Sequence, residues 1–289
     1  MGNDYKEVKK VLWIILVANF VVAALKIIVG AIVKSASMTA DGFHAVSDGS
    51  SNIVGLIGIS FASKPIDKEH PYGHNKFEMI SSLFIGMMLL FIAIKIVFEA
   101  ILRFTNPITP YITIESLIAL IITIFINIFV STYENRKGKK LNSYILISDS
   151  LHTKSDIFVS IGVLITLIGI KLGLPVILDP IVSLVVSGFV LHASYEIFKD
   201  SMGILVDTAT VDEELIKKII FEFDEVRDVH NIRSRGSKSN IYIDMHVMIN
   251  PNISVEDSHN LTHKIEEKIK EKFNTNIQII IHIEPFYEL

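Results

Sequence analysis

The chain has no cysteine, which removes disulfides and thiolate metal centres and leaves histidine and carboxylates as the strong ligands it offers a metal ion. It also lacks a charge excess. Its 27 Lys and Arg face 31 Asp and Glu, and the basic residues are scattered at the ends of apolar segments, so there is no electrostatic footprint for nucleic acid. Low-complexity segments and close internal repeats are missing too, apart from one short pair described below. Apolar residues, by contrast, are abundant: half of the 289 positions are hydrophobic and the mean hydropathy is +0.48. The excess is gathered before about residue 200. This reads as an integral membrane protein with a soluble tail, divided as residues 1–199 and 200–289.

Six segments are long enough to cross roughly 30 Å of hydrocarbon as helices: about Val11–Val33, Met38–Ala62, Ile80–Leu102, Ile112–Thr132, Tyr144–Ile170 and Leu178–Phe198. The first follows a short charged lead and has no small-residue cleavage site, so it reads as a retained span. An even count puts both termini on one side. Lys6, Lys9, Lys10, Lys64, Lys68, Lys76, Arg136, Lys137, Lys139 and Lys140 all fall on that side, and the positive-inside rule makes it the cytoplasm. The connections on the other side are short and carry breakers, such as Asn106-Pro107 and Asp179-Pro180, which leaves no room for an outer domain.

After Asp200 the pattern becomes that of a soluble domain. Val211–Phe223 reads as a short amphipathic helix, Val226–Ser234 and Asn240–Ile249 as strands about the turn Arg235–Ser239, Ser254–Phe273 as a second helix and Asn276–Glu284 as a third strand. In the last strand Ile277, Ile279, Ile281 and Ile283 alternate with Gln278, His282 and Glu284. The order α-β-β-α-β implies a small α+β sandwich.

Charge inside the second and fifth spans needs a reason. Thr39-Ala-Asp-Gly-Phe-His-Ala-Val-Ser-Asp48 places His44 and Asp48 four apart, and Ser148-Asp-Ser-Leu-His-Thr-Lys-Ser-Asp156 repeats the spacing with His152 and Asp156. At about 3.6 residues per turn each pair stands on one helix face. Two such helices face to face present two imidazoles and two carboxylates, a tetrahedral site with the donors zinc accepts. Hydrogen bonding between membrane helices is the bland alternative, and it accounts poorly for two copies of one costly pair. Asp41 and Asp149, three residues before each His, are candidates for supporting the ligands or relaying protons. The residues inside the pairs supply no Glu of the His-Glu-x-x-His kind, which argues against an intramembrane metalloenzyme. A second constellation, Asp67, His70 and His74, lies in the loop after the second span, shaped by Pro71 and Gly73; a metal site and an ordinary polar loop both fit it. The tail holds His230, His246, His259, His263 and His282 with Glu284, several on shared faces, which points to a further metal site there.

With these residues in view, the chain resembles the cation diffusion facilitator family over essentially its whole length: six spans, the two His-x-x-x-Asp pairs, the Asp-x-x-His-x-x-x-His loop and a His-bearing ferredoxin-like tail. The resemblance implies that His44, Asp48, His152 and Asp156 are the transport site, that Asp67, His70 and His74 form a loop site, and that His230, His246, His259, His282 and Glu284 form a two-metal tail site. Glu284 stands where the best-known bacterial pattern has Asp, a longer carboxylate. It further implies a salt-bridge latch between Lys76 and Asp207, a homodimer joined through the tail, and no organic cofactor. A His in both transport helices inclines the expected cargo toward Zn²⁺ and Cd²⁺, exported from the cytoplasm against protons. Exporters of Fe²⁺, Mn²⁺ or Co²⁺, and a membrane-anchored metal sensor, are the alternatives. The short connection Tyr133–Lys140, in place of a long His-rich loop, implies a prokaryotic plasma membrane.

Overall fold

The computed structural model describes residues 2–32, 36–105, 114–273 and 276–287, and the side chains at 2, 3, 25, 26, 29–32, 36–48, 115, 116 and 119 lie outside that description. Its packing separates two compact units, Met1–Met202 and Gly203–Leu289.

Among the described residues the first unit is built of six long helices: α1 Gly2–Ile32, α2 Ala36–Ala62, α3 Lys76–Thr105, α4 Ile114–Leu141, α5 Tyr144–Lys171 and α6 Leu178–Leu205. α3, α5 and α6 are by length and apolarity sufficient to cross a membrane. α1, α2, α4 and α5 share one core, with Leu12, Ile15, Ile59, Val130, Ile145 and Leu146 wholly or almost wholly buried. α3 and α6 form a pair around Ile85, Leu89, Val190 and Ile197, where Ser194 Oγ donates to the Gly86 carbonyl at 2.9 Å. α2 approaches α3 closely because residue 58 is glycine; a Cβ there would lie 2.0 Å from Ser81 Oγ. Close backbone approach through small residues is the way helices associate in lipid, where apolar burial supplies little driving force. The outward faces carry Trp13, Phe91, Phe98 and Phe129, each more than half exposed, as a hydrocarbon surround permits.

The stretch expected as a basic loop, Tyr133–Lys140, is instead the last two turns of α4. Its Glu, Arg and Lys are good helix formers, and Lys139 and Lys140 sit where the negative end of the helix dipole favours cations. The connection to α5 is thereby reduced to Asn142, at φ +48, and Ser143, whose side chain caps α5 by accepting from the Leu146 N–H.

The second unit contains α7 Glu213–Ile220, β1 Val226–Ser237, β2 Asn240–Ile249, α8 Val255–Phe273 and β3 Asn276–Pro285. Asp212 caps α7 by accepting from the Glu214 N–H at 3.1 Å. The sheet order is β1-β2-β3, with β1 antiparallel and β3 parallel to β2; a parallel neighbour requires a crossover, which α8 supplies. Ile243, Met245, Val247 and Ile249 on β2 and Ile277 and Ile279 on β3 pack with Ile216 and Ile220 of α7 and with Leu261, Ile265 and Ile269 of α8. One face of the sheet is therefore covered by helices. The expected five-residue turn is tighter than the sequence suggests. Arg235, Gly236 and Ser237 still pair with β2, and only Lys238 and Ser239 turn. Gly236 makes this possible, at φ +114 with its backbone against the Asn240 carbonyl.

Candidate metal sites

α5 carries one half of the intramembrane constellation. His152 is 2% exposed, and among the described residues neither of its ring nitrogens has a hydrogen-bond partner. A buried imidazole with two unsatisfied nitrogens is costly unless something else takes its lone pair. Asp156 follows one turn later on the same face. The other half, His44 and Asp48 with Asp41, falls on α2, whose helical backbone sets His44 and Asp48 one turn apart; the three side chains lie outside the described residues.

Asp149, wholly buried on α5, accepts from Asn52 Nδ2 of α2, and Asn52 Oδ1 in turn accepts from Asn19 Nδ2 of α1 at 3.0 Å. Glu134 of α4 is also wholly buried; it meets Asp149 and accepts from Thr153 Oγ1 at 3.5 Å. A polar network thus crosses four helices one turn from His152. Glu134 was not singled out from the sequence, and neither was Glu78. Glu78 lies buried in the first turn of α3 and accepts from Ser143 Oγ at 2.6 Å and from the Ile145 N–H at 3.3 Å.

The loop between α2 and α3 brings its three candidates together. Asp67 Oδ1 lies 3.1 Å from His70 Nδ1, and Asp67 Oδ2 lies 3.3 Å from His74 Nε2. The two imidazole centres are 4.2 Å apart. The turn that achieves this is local: the Glu69 and His70 N–H groups donate to Asp67 Oδ1 at 3.0 and 2.7 Å, and Gly73 adopts φ +84. The His70 N–H, chiefly, holds the Asp67 carboxyl below the usual carboxylate range; desolvation opposes it, and the His70 and His74 side chains add smaller lowering effects. All three donor atoms lie within 4.8 Å of one another, the span from which a cation gathers ligands.

In the second unit, His230, His246 and His282 stand in register on three adjacent strands. They form a row across the face that the helices leave open. Glu284 serves the row: its Oε1 lies 2.7 Å from His246 Nδ1 and 3.8 Å from His282 Nε2, and its Oε2 lies 3.3 Å from His230 Nε2. His259 is elsewhere within the chain. It is on α8, which packs on the covered face, and its Nε2 is 3.1 Å from that of His263.

The sequence pattern of the cation efflux transmembrane domain matches residues 12–206, and that of the cation efflux protein cytoplasmic domain matches residues 209–286. The chain belongs to the cation efflux family. The manganese efflux system protein MneP of Bacillus subtilis is 32% identical to it over 100% of each chain. A cadmium, cobalt and zinc/H(+)-K(+) antiporter of the same organism is 27% identical over 98% of this chain and 93% of that one. A solved structure of CzrB aligns with 26% of this chain and 92% of that one at 24% identity, with a TM-score of 0.24, too weak a likeness to carry an argument. Membership makes the chain a membrane transporter of divalent metal cations, not an enzyme. The relatives are named for different metals, so the family fixes the class of cargo and leaves its identity to the site.

Proposed function

We propose that this transporter exports Zn²⁺, with Cd²⁺ as a second cargo, from the cytoplasm in exchange for protons, binding it between His44 and Asp48 of α2 and His152 and Asp156 of α5. The observation that carries this reading is His152, buried one turn before a carboxylate with both ring nitrogens unpartnered among the described residues. Two imidazoles and two carboxylates suit a borderline-soft ion with tetrahedral preference. An imidazole lone pair holds a proton or a metal and not both, so arrival of protons releases the cation. Asp41 and Asp149 support these ligands. In this reading the termini and the tail lie in the cytoplasm, on the side of the lysine-rich helix ends, and the cell is prokaryotic. There two copies join through the tail, cations at Asp67, His70 and His74 and along the His230, His246 and His282 row with Glu284 report cytoplasmic metal, and His259, which is away from the row within one chain, joins the tail site where the second copy brings α8 to the open face. A Lys76–Asp207 pair latches tail to membrane helices; Asp207 also lies 3.7 Å from Arg235 of its own unit.

The 32% identity to a manganese efflux protein favours a second reading of the cargo, Mn²⁺, held by the same quartet with more weight on its carboxylates. Flux into proteoliposomes under an imposed pH gradient, comparing Zn²⁺, Cd²⁺, Fe²⁺ and Mn²⁺ for the wild type and Asp156→Ala, decides. Zinc movement that collapses with the gradient and with the substitution is the expected result. Movement of manganese alone transfers the site to the second reading, and no flux of any ion removes both.

A further inference from the structure

We propose that Glu78 is the positioning residue through which cation capture at Asp67, His70 and His74 acts on α5, the helix that carries His152 and Asp156. The inference rests on the reading of that loop as a cation site.

Glu78 is 6% exposed, and a buried carboxylate needs compensation. Its compensation comes from the start of α5: the Ser143 hydroxyl donates to Glu78 Oε1 at 2.6 Å and the Ile145 N–H donates at 3.3 Å. The first N–H groups of a helix have no partner within it, and the positive end of the helix dipole lies there, so an anion from outside completes the cap. Ser143 is shared between the two helices. It donates to Glu78 and accepts from the Leu146 N–H at 3.4 Å, so the first turn of α5 is set by a side chain from α3 as much as by its own cap.

The other end of the link is equally short. Phe77 N–H donates to the His74 carbonyl at 3.0 Å and Glu78 N–H to the Asn75 carbonyl at 3.1 Å, so His74 and Glu78 are joined by consecutive tight turns, about 6 Å along the axis. His74 is 5% exposed, and its ring packs beside Phe77 with centres 5.9 Å apart. Donors about 2.0–2.2 Å from a tetrahedral ion stand about 3.4 Å from one another, and His74 Nε2 already lies 3.3 Å from Asp67 Oδ2, so a cation enters without displacing the ring and then holds it there. A buried ring stacked on the first turn of α3, once held by a cation, fixes that turn, and Glu78 is fixed with it. From Ser143 to His152 is one uninterrupted helix, about 13 Å long, so fixing its cap fixes the placement of the transport pair.

The test is a double-substitution cycle on the full chain in proteoliposomes, using the cation that the wild type carries. Initial rates are compared for the wild type, His70→Ala, Glu78→Gln and the double variant, and equilibrium binding counts the cations held by each purified protein. Gln keeps the shape and loses the charge that α5 favours. The expected result is that His70→Ala slows transport in the wild type by at least about threefold and has no further effect in the Glu78→Gln background, while Glu78→Gln still binds the loop cation. An equal fractional loss from His70→Ala in both backgrounds reduces Glu78 to a plain cap and overturns the proposal. No effect of His70→Ala on the wild-type rate removes the loop site's role in transport, and the proposal with it; loss of cation binding by Glu78→Gln makes it part of the site and not a link. Ser143→Ala breaks the same contact from the α5 side and answers the question if Glu78→Gln does not fold.

Discussion

Glu284 divides its two carboxylate oxygens between neighbouring strands, one at 2.7 Å from His246 Nδ1 and the other at 3.3 Å from His230 Nε2. A carboxylate so placed can serve cations on either side of it, whereas each imidazole in the row offers one lone pair. Removing it should therefore cost the tail more than removing any one histidine. Glu284→Ala should weaken Zn²⁺ binding by the chelator-stripped full chain at least about tenfold, while Glu284→Asp, which keeps a carboxylate in the row, should lose less affinity than Glu284→Ala. Calorimetric titration against the wild type reads both. Equal stoichiometry and affinity in Glu284→Ala would show that the row binds without it.

The loop differs because its turn is built on a charge. Asp67 accepts from the Glu69 and His70 N–H groups, and its folded-state carboxyl titrates below the usual range. A group whose value is depressed on folding contributes stability that is fully present above the unfolded value, about 3.9 for Asp, and lost as pH falls through the lower folded value. Protection of the Glu69 and His70 amides against hydrogen exchange, corrected for the intrinsic rate, should not fall between about pH 8 and pH 5 and should decline only below about pH 4. A decline already complete by pH 5 would mean that Asp67 does not hold this turn.

Arg103, in the last turn of α3, donates to Asp179 in the first turn of α6 and lies 4.0 Å from Glu99. Asp179 is 15% exposed in its side chain and Arg103 39%, so the pair is partly screened and is worth about 1 kcal/mol, above most surface pairs and below a buried one. Arg103→Met leaves a carboxylate without its donor and should lower the apparent melting temperature of the solubilised protein by about 2–4 °C. Arg103→Met combined with Asp179→Asn should recover part of that loss. No difference between single and double variants would assign the effect to Arg103 packing alone.

Much of this was legible in the sequence where the signal is local. The spacing of His152 and Asp156 needs only a helix, and the alternation of Ile277, Ile279 and Ile281 needs only a strand. The Asp67 loop declares itself through residues three to four apart. The row of His230, His246 and His282 was visible only as polar positions on separate strands, because register between strands decides whether they meet. Glu134 and Glu78 escaped for a related reason. Each is a single acid among charged neighbours near a helix end, and each finds its meaning in partners from other helices: Asp149 for Glu134, Ser143 for Glu78. The uninterrupted run of helix formers around Glu134 would have extended α4 and made a buried acid suspect. The missed two turns of α4 and the overlong hairpin have one cause in common, that charge and glycine were read as loop where helix propensity and a tolerated positive φ prevailed.

That hairpin gives the sharpest backbone prediction. Gly236 sits at φ +114, where side chains other than hydrogen are disfavoured, and a Cβ would lie 2.2 Å from the Asn240 carbonyl oxygen and 3.2 Å from the Tyr242 ring. The strain in φ and the clash with Asn240 fall on backbone that is paired on each side, Gly236 with Ile241 and Ser237 with Asn240, so a movement of the Tyr242 ring cannot absorb them. Gly236→Ala should destabilise the second unit by about 2–3 kcal/mol. Because the strain lies at the turn, the damage should appear as a loss of hydrogen-exchange protection at Ser237 and Tyr242 before it reaches Val247 at the other end of the hairpin. The His246 row, nearer that end, should keep its cation affinity within about threefold. Unchanged protection at the turn would mean that the chain can rebuild the hairpin in the longer form its sequence suggests.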